Sequence, residues 1–282
     1  MKISILTPSY NSVKYIQRAI ESVLYQDYMN WEHIILDGNS NDGTQEILKK
    51  YDHLIWVSES DKGQSDAMNK AFRMSTGDII VYLNADDWFE PNIFQEIVTQ
   101  FVKYPELSVL VGNLYMRENK KPTRLNINEY RIKKIILPFK YGFPYNPVSY
   151  FYRREVQERV GEFPVSEHYA MDYWFILRAF TPPNVVRKSD LVFGNYLNTG
   201  ENKTSTSSNS NLLSFAKESI SNENNHLKFL FFLHYLLYKI FVLPKNSLVI
   251  ILKTLIIIIY KRRWISFKTI KEKGIKSFLK HA

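Results

Sequence analysis

The stretch Lys2–Gly38, "KISILTPSYNSVKYIQRAIESVLYQDYMNWEHIILDG", decides the fold. "KISILTPS" is an apolar run of strand length. Val13, Ile16, Ile20, Val23 and Leu24 then recur at helical spacing, with Asn11 or Ser12 as the expected N-cap. "HIILDG" is a second strand, ending on an acid and a glycine. A strand, a helix and a strand in this order form a β-α step, and the pattern continues outward. "TQEILKKY" is a short helix and "LIWVSES" a third strand. "SDAMNKAFRMSTG" is a helix that Gly77 is expected to cap. "DIIVYLNADD" follows as the fourth strand, "PNIFQEIVTQFVKY" as a helix with Pro91 suited to its first turn, and "LSVLVGN" as the fifth strand. Strands alternating with helices predict an α/β fold, a mostly parallel sheet flanked by helices on both faces.

From 115 to 205 the periodicity weakens. Pro138, Pro144, Pro147, Pro182 and Pro183 break this part into loops around a helix containing "MDYWFILRAF". The polar "NKTSTSSNSN" reads as an active-site loop or a linker.

The 282 residues are 45% hydrophobic, 23% charged and 15% aromatic, and fit one large domain with an appendage. The absence of cysteine excludes disulfides, thiolate metal sites and cysteine nucleophiles. Of the net charge of +9, residues 226–282 carry +11, from 12 Lys/Arg against one acid, which leaves −2 for the remainder. That basic region is also strongly apolar, which points to an anionic membrane surface and away from nucleic acid. "LKFLFFLHYLLYKIFVL" (17 residues) and "LVIILKTLIIIIY" (13 residues) fall short of the roughly 20 apolar residues that span a bilayer. They predict helices lying on the membrane, or an oligomer interface. Met1 and Lys2 lead straight into "ISIL", with no export-type apolar stretch before it, so a cytoplasmic location is expected.

Every chemically suggestive cluster in the first half follows a strand: Pro8–Asn11, Asp37–Thr44, Glu59–Gly63 and Asn84–Asp87. In an open parallel sheet the carboxyl ends of the strands share one edge, where ligands bind. The chain lacks both the glycine-rich dinucleotide fingerprint and the P-loop. Paired acids at Asp86 and Asp87 suit a hard divalent cation on a diphosphate instead, although Asp-Asp before "WFEP" serves equally as a helix cap.

"ISILTPSYNSVKYIQRAIESVLYQDY", "HIILDGNSNDGT", "SDKGQSDAMNKAF" and "GDIIVYLNADD" together resemble glycosyltransferase family 2, a group of inverting sugar transferases with a GT-A fold. The resemblance is strong over 1–115 and weaker to 205. It implies a GT-A domain at 1–205, with a nucleotide-sugar half (1–115) and an acceptor half (116–205). A linker or active-site loop at 206–225 and a basic amphipathic helical region at 226–282 would follow.

By position, the resemblance implies that Pro8, Tyr10 and Asn11 pack on the nucleobase and that Asp37 bonds it, with Asp42 a rival for the local capping role. Lys62 would add positive charge near the nucleotide. Family members usually carry Asp-x-Asp at the fourth strand. Here the first acid is Asn84, which could bond a ribose hydroxyl, leaving Asp86 as first and Asp87 as second ligand for Mn²⁺ or Mg²⁺. The family's base is an acid in a Glu-Asp pair before an aromatic stretch ending in Leu-x-Arg. Met171 holds the Glu position, Asp172 is the expected catalytic base, Arg178 completes the match and His168 is a weaker base candidate. Tyr145-Asn146 stands where the family often has His-Gln.

The function this implies is inverting transfer of a hexose-type sugar from a UDP-type donor to a saccharide acceptor, lipid-linked, in cell-surface glycan synthesis such as lipopolysaccharide. The enzyme would sit peripherally on the cytoplasmic face of the inner membrane. Two alternatives compete: an idle nucleotide-sugar-binding module anchoring a membrane assembly, and a sugar-1-phosphate nucleotidyltransferase. The second needs a basic glycine-rich loop that "TPSYNS" does not supply.

Overall fold

A computed structural model describes residues 1–118, 122–127, 146–166 and 171–198. The loop or linker expected at 206–225, the helical region expected at 226–282, Tyr145 and His168 lie outside the described residues. Among the described residues, no helix is long and apolar enough to cross a membrane.

The elements run β1 (Ile3–Ser9), α1 (Ile16–Leu24), β2 (Trp31–Asp37), α2 (Thr44–Leu48), β3 (Leu54–Ser58), α3 (Gln64–Met74), β4 (Ile79–Tyr82), β5 (Trp88–Phe89) and α4 (Phe94–Lys103). There follow β6 (Leu107–Arg117), β7 (Thr123–Leu125), a 3-10 turn (Pro147–Ser149), β8 (Tyr150–Arg153), α5 (Arg154–Val160), α6 (Met171–Ala179) and β9 (Val185–Leu197). All nine strands form one sheet in the order β3-β2-β1-β4-β8-β6-β9-β5, with β7 on β6.

The mostly parallel sheet expected from the sequence holds only for β3-β2-β1-β4. Beyond β4 the sheet is mixed, because β8 enters antiparallel between β4 and β6. β9 runs parallel to β6 and pairs antiparallel with β5. The physical reason is connectivity: the first half links β1 to β4 through helices, whereas β8 follows directly on a 3-10 turn and pairs with strands distant in sequence. Strand β8 is only four residues long and passes directly into α5, so it leaves little alternation to read.

Side chains alternate across the strands and divide the core in two. Leu6, Ile34, Ile80 and Tyr82 face one side, under Ala67, Met68 and Ala71 of α3 and Phe175 and Ile176 of α6. Ile3, Ile5, Ile79 and Val81 face the other, under Ala19 and Val23 of α1 and Phe94, Ile97 and Phe101 of α4. Each fully buried aliphatic side chain contributes roughly 1.5–3 kcal/mol. Helices therefore cover both faces, and the edge at the strand C-termini is left for ligands.

Three boundary expectations fail for local reasons. Asn11 adopts φ 49° and Tyr15 takes the N-cap of α1, because the Asn11 side chain is used to accept from Asn41 N at 3.1 Å. Pro91 precedes α4, whose N-cap is Ile93, since Asn92 turns the chain at φ 58°. Gly77 does not cap α3, which ends at Ser75 in extended backbone. A Cβ on Gly77 would stand 2.7 Å from Ser4 N and 2.9 Å from Lys2 O, so glycine is there to let the chain press against β1.

Candidate active site

The carboxyl ends of β1, β2 and β3 carry a tightly bonded acid. Asp37, 1% exposed, accepts from Ser40 N (2.9 Å) and Ser58 Oγ (2.6 Å) on Oδ2 and from Ser40 Oγ (2.5 Å) on Oδ1. A carboxylate offers about four acceptor directions, so one remains on Oδ1. Ser40 Oγ also accepts from Asn11 N at 2.8 Å, which ties the loop after β1 to that after β2. Pro8 is buried beside Leu36, and Tyr10 stands at the rim, 66% exposed.

The capping role belongs to Asp42, which accepts from Val13 N, Thr44 N and Thr44 Oγ1 at 3.0, 3.0 and 2.6 Å. Asp37 also closes a turn of its own through Ser40 N. Gly43, at φ 100°, provides the left-handed turn into α2.

Asp61 is a neighbour that no motif assignment singled out. A Cβ on Gly38 would lie 2.8 Å from Asp61 Oδ2 and 3.3 Å from Tyr10 Cδ2, so glycine at 38 lets this second acid and the tyrosine ring close around the end of β2. The signal lay in the Glu59–Gly63 cluster at the end of β3. Asp61 Oδ1 accepts from Gly63 N at 2.7 Å. Lys62 is exposed, and its backbone N–H donates to Asp66 at 3.1 Å.

At the end of β4 the two acids differ. Both oxygens of Asp87 are engaged: Oδ2 by Asn84 Nδ2 (3.0 Å) and Asn146 Nδ2 (2.9 Å), and Oδ1 by Leu197 N (3.0 Å). Burial, and then the charge of Asp86, push its carboxyl well above the usual range. Asn84 also accepts from Gln64 Nε2 at 3.1 Å, so its amide is used at both ends. Asp86 is the half-buried member of the pair. Among the described residues, no group of three or more His, Asp or Glu side chains is placed to hold a metal. The donor set nonetheless fits Mg²⁺ or Mn²⁺ on one carboxylate, because such ions keep several waters and take their other oxygens from substrate phosphates.

Asp172 lies in the first turn of α6. Ser65 Oγ, at the start of α3, donates to the Met171 sulfur at 3.1 Å, which brings this turn to the strand-end edge beside the β3–α3 loop. Met171, at the position of the family's Glu, is 5% exposed within the core. Although part of Asp172 reaches solvent, its Oδ1 is shut off from water and has no hydrogen-bond partner among the described residues. Burial pushes its carboxyl up to about 6. A carboxylate so placed is a competent base near neutral pH. Arg178 donates to Trp174 O at 2.9 Å and stacks over the Trp174 ring, a role inside the helix.

The model of the family described as "Glycosyl transferase family 2" matches residues 4–171. The chain belongs to glycosyltransferase family 2. An uncharacterized glycosyltransferase of Nostoc sp. is 30% identical over 177 residues, 58% of this chain and 54% of the relative. The UDP-Glc:alpha-D-GlcNAc-diphosphoundecaprenol beta-1,3-glucosyltransferase WfgD of Escherichia coli is 33% identical over 120 residues, 42% and 47% of the two chains. The family 2 chain thus spans about half the length of these curated relatives. Among solved structures, S. aureus TarS in complex with UDP is similar with a TM-score of 0.62 at 20% identity, covering 82% of this chain and 70% of that one. The fold is that of this GT-A protein, with its curled mixed sheet.

Proposed function

We propose that the protein transfers a hexose-type sugar from a UDP-type donor to a saccharide acceptor with inversion, using Asp172 as general base and a divalent metal on the donor diphosphate. The observation that carries the reading is the Asp172 carboxyl, whose Oδ1 is shielded from water and has no partner among the described residues, and which burial raises to about 6. A group held in this state takes a proton from an acceptor hydroxyl as that oxygen attacks the anomeric carbon. Asp37 would receive a ring N–H of the base on its remaining acceptor direction, with Pro8, Tyr10 and Asn11 packed around the nucleoside, Lys62 adding positive charge beside it and Asn84 near the ribose. Asp86 would hold Mn²⁺ or Mg²⁺, with Asp87 behind it. The metal would supply charge neutralisation on the departing diphosphate.

The names of similar proteins support the donor class: TarS is described in complex with UDP and with UDP-GlcNAc, and WfgD takes UDP-Glc. WfgD's acceptor is a diphosphoundecaprenol-linked sugar. A lipid-linked acceptor in cell-surface glycan synthesis is the corresponding reading here. The +11 charge and apolar runs of 226–282 would hold the enzyme on the cytoplasmic face of an anionic membrane.

The test is UDP release from a panel of UDP-sugars with Mn²⁺ or Mg²⁺, followed by the anomeric configuration of the product. Inverted product supports the assignment. Retained UDP binding with no turnover on any donor makes the protein an idle binding module. Flotation of the full chain with anionic vesicles at low salt tests the membrane reading, and protein left unbound there overturns it.

A further inference from the structure

The sheet curls until β5, last in strand order, meets α1. Phe89 N donates to Ser22 Oγ at 3.2 Å, and Gln26 Nε2 donates to Glu90 O at 2.9 Å. At this seam Trp88, directly after the Asp86-Asp87 pair, gathers two cations. The Arg18 guanidinium lies 3.4 Å from the ring centre and that of Arg117 5.7 Å, so the two charges are separated by no more than the sum of those distances.

The local acids offset these charges only in part: Asp87 and Asp86 act on Arg18 from a distance, and Glu90 on Arg117. Arg18 is exposed, and its guanidinium makes a long hydrogen bond, 3.4 Å, to the Asp86 carbonyl. It forms no ion pair among the described residues. Arg117 donates from Nε to Asn195 Oδ1 at 2.6 Å, while Glu90 Oε1 lies 3.8 Å from Arg117 Nη2 and is already taken by Asn195 Nδ2 at 2.6 Å. Each guanidinium has five N–H donors in a fork that matches phosphate or carboxylate oxygens. Like charges held this close favour an anion between them.

Resting on the transferase reading above, we propose that Arg18 and Arg117, gathered on Trp88, form a subsite for an oxyanion carried by the acceptor, a phosphate or carboxylate on its sugar. The acceptor is favoured over the donor by strand order. The proposed nucleoside contacts follow β1, β2 and β3 and Asp86 follows β4, whereas Trp88 and Arg117 belong to β5 and β6 beyond it, and the curl of the sheet brings Arg18 of α1 to them. An acceptor anchored here by its charge would lie next to the proposed metal.

The experiment titrates the full chain, saturated with UDP, with α-glucose 1-phosphate, methyl glucuronoside and uncharged methyl glucoside. One charged probe is expected to bind better than methyl glucoside, and which one does distinguishes a phosphate-bearing acceptor from a uronate. In Arg18→Gln/Arg117→Gln that affinity should fall about tenfold or more, as loss of charge-assisted bonds implies, with UDP affinity within about twofold of the parent. Arg117→Lys keeps the charge and should lose only a few-fold; with Arg18→Gln alone it decides the matter if the double variant melts early. Charged probes that bind no better than methyl glucoside overturn the subsite. So does a double variant that weakens UDP by the same factor as the probe. Failure of UDP itself to bind strikes the donor reading, and the probe titration, run then without UDP, still decides this one.

Discussion

Asp37, at the end of β2, and Asp172, in the first turn of α6, are the two acids proposed for recognition and for proton transfer, and their surroundings are opposite. Asp37 is bonded by two serines, through a hydroxyl and a backbone N–H of Ser40 and the hydroxyl of Ser58. Asp172 has an oxygen with no partner among the described residues. A carboxylate held by three hydrogen bonds is fixed in position, with one acceptor direction still open, which suits recognition. An unsatisfied, desolvated one holds its proton more tightly, which suits proton transfer. The pairing of rigid recognition with a costly, unsatisfied reacting group is what a transferase requires.

The sharpest way to break this contrast is Asp172→Asn, which should lower turnover by roughly 10²-fold or more while UDP affinity stays within about twofold. Full turnover in that variant would remove Asp172 as the base. Next in size, Asp86→Ala should weaken metal-dependent donor binding by about tenfold, read as UDP affinity with and without Mn²⁺, and leave metal-free UDP affinity alone. In Ser58→Ala, Asp37 loses one of its bonds, worth about 1.5–3 kcal/mol when made to a charged group, and UDP affinity should fall by a few-fold or more with turnover at saturation little changed.

The smallest effect is on pH. The folded-state value of Asp172 is raised to about 6 from an ordinary unfolded carboxyl. Its contribution to stability is therefore complete below the unfolded value and is lost as pH rises through about 6. Activity runs the other way, because the base works deprotonated. The parent should thus lose thermal stability relative to Asp172→Asn between pH 4 and pH 7, over the range where its turnover rises, and melting curves paired with rate profiles check both limbs.

The first half of the fold was legible because each strand and helix there carries its own period. Ile16, Ile20 and Val23 are buried on one face of α1 as spaced, and the strand-end clusters do lie at one edge. The second half was not, because β8 is only four residues long and owes its pairing to β4 and β6, partners that no local window contains. The site follows the same division. Asp37 and Asp172 stand out by motif, but the near contact of Asp61 with Gly38 arises only when the ends of β2 and β3 meet. The inequality of Asp86 and Asp87 depends on Asn146 and Leu197, donors brought from 59 and 110 residues away.

That last contact sets a rule for recombining such enzymes. Asp87 follows β4, Asn146 precedes the 3-10 turn before β8, and Leu197 ends β9, so a single buried side chain records the relative alignment of three segments far apart in sequence. A chimera that takes its nucleotide half from one relative and its acceptor half from another must inherit matching partners at all three positions. Exchanging the 146–197 segment without them would strand a buried acid at the junction, and the hybrid would fail at the joint before its specificity could be read.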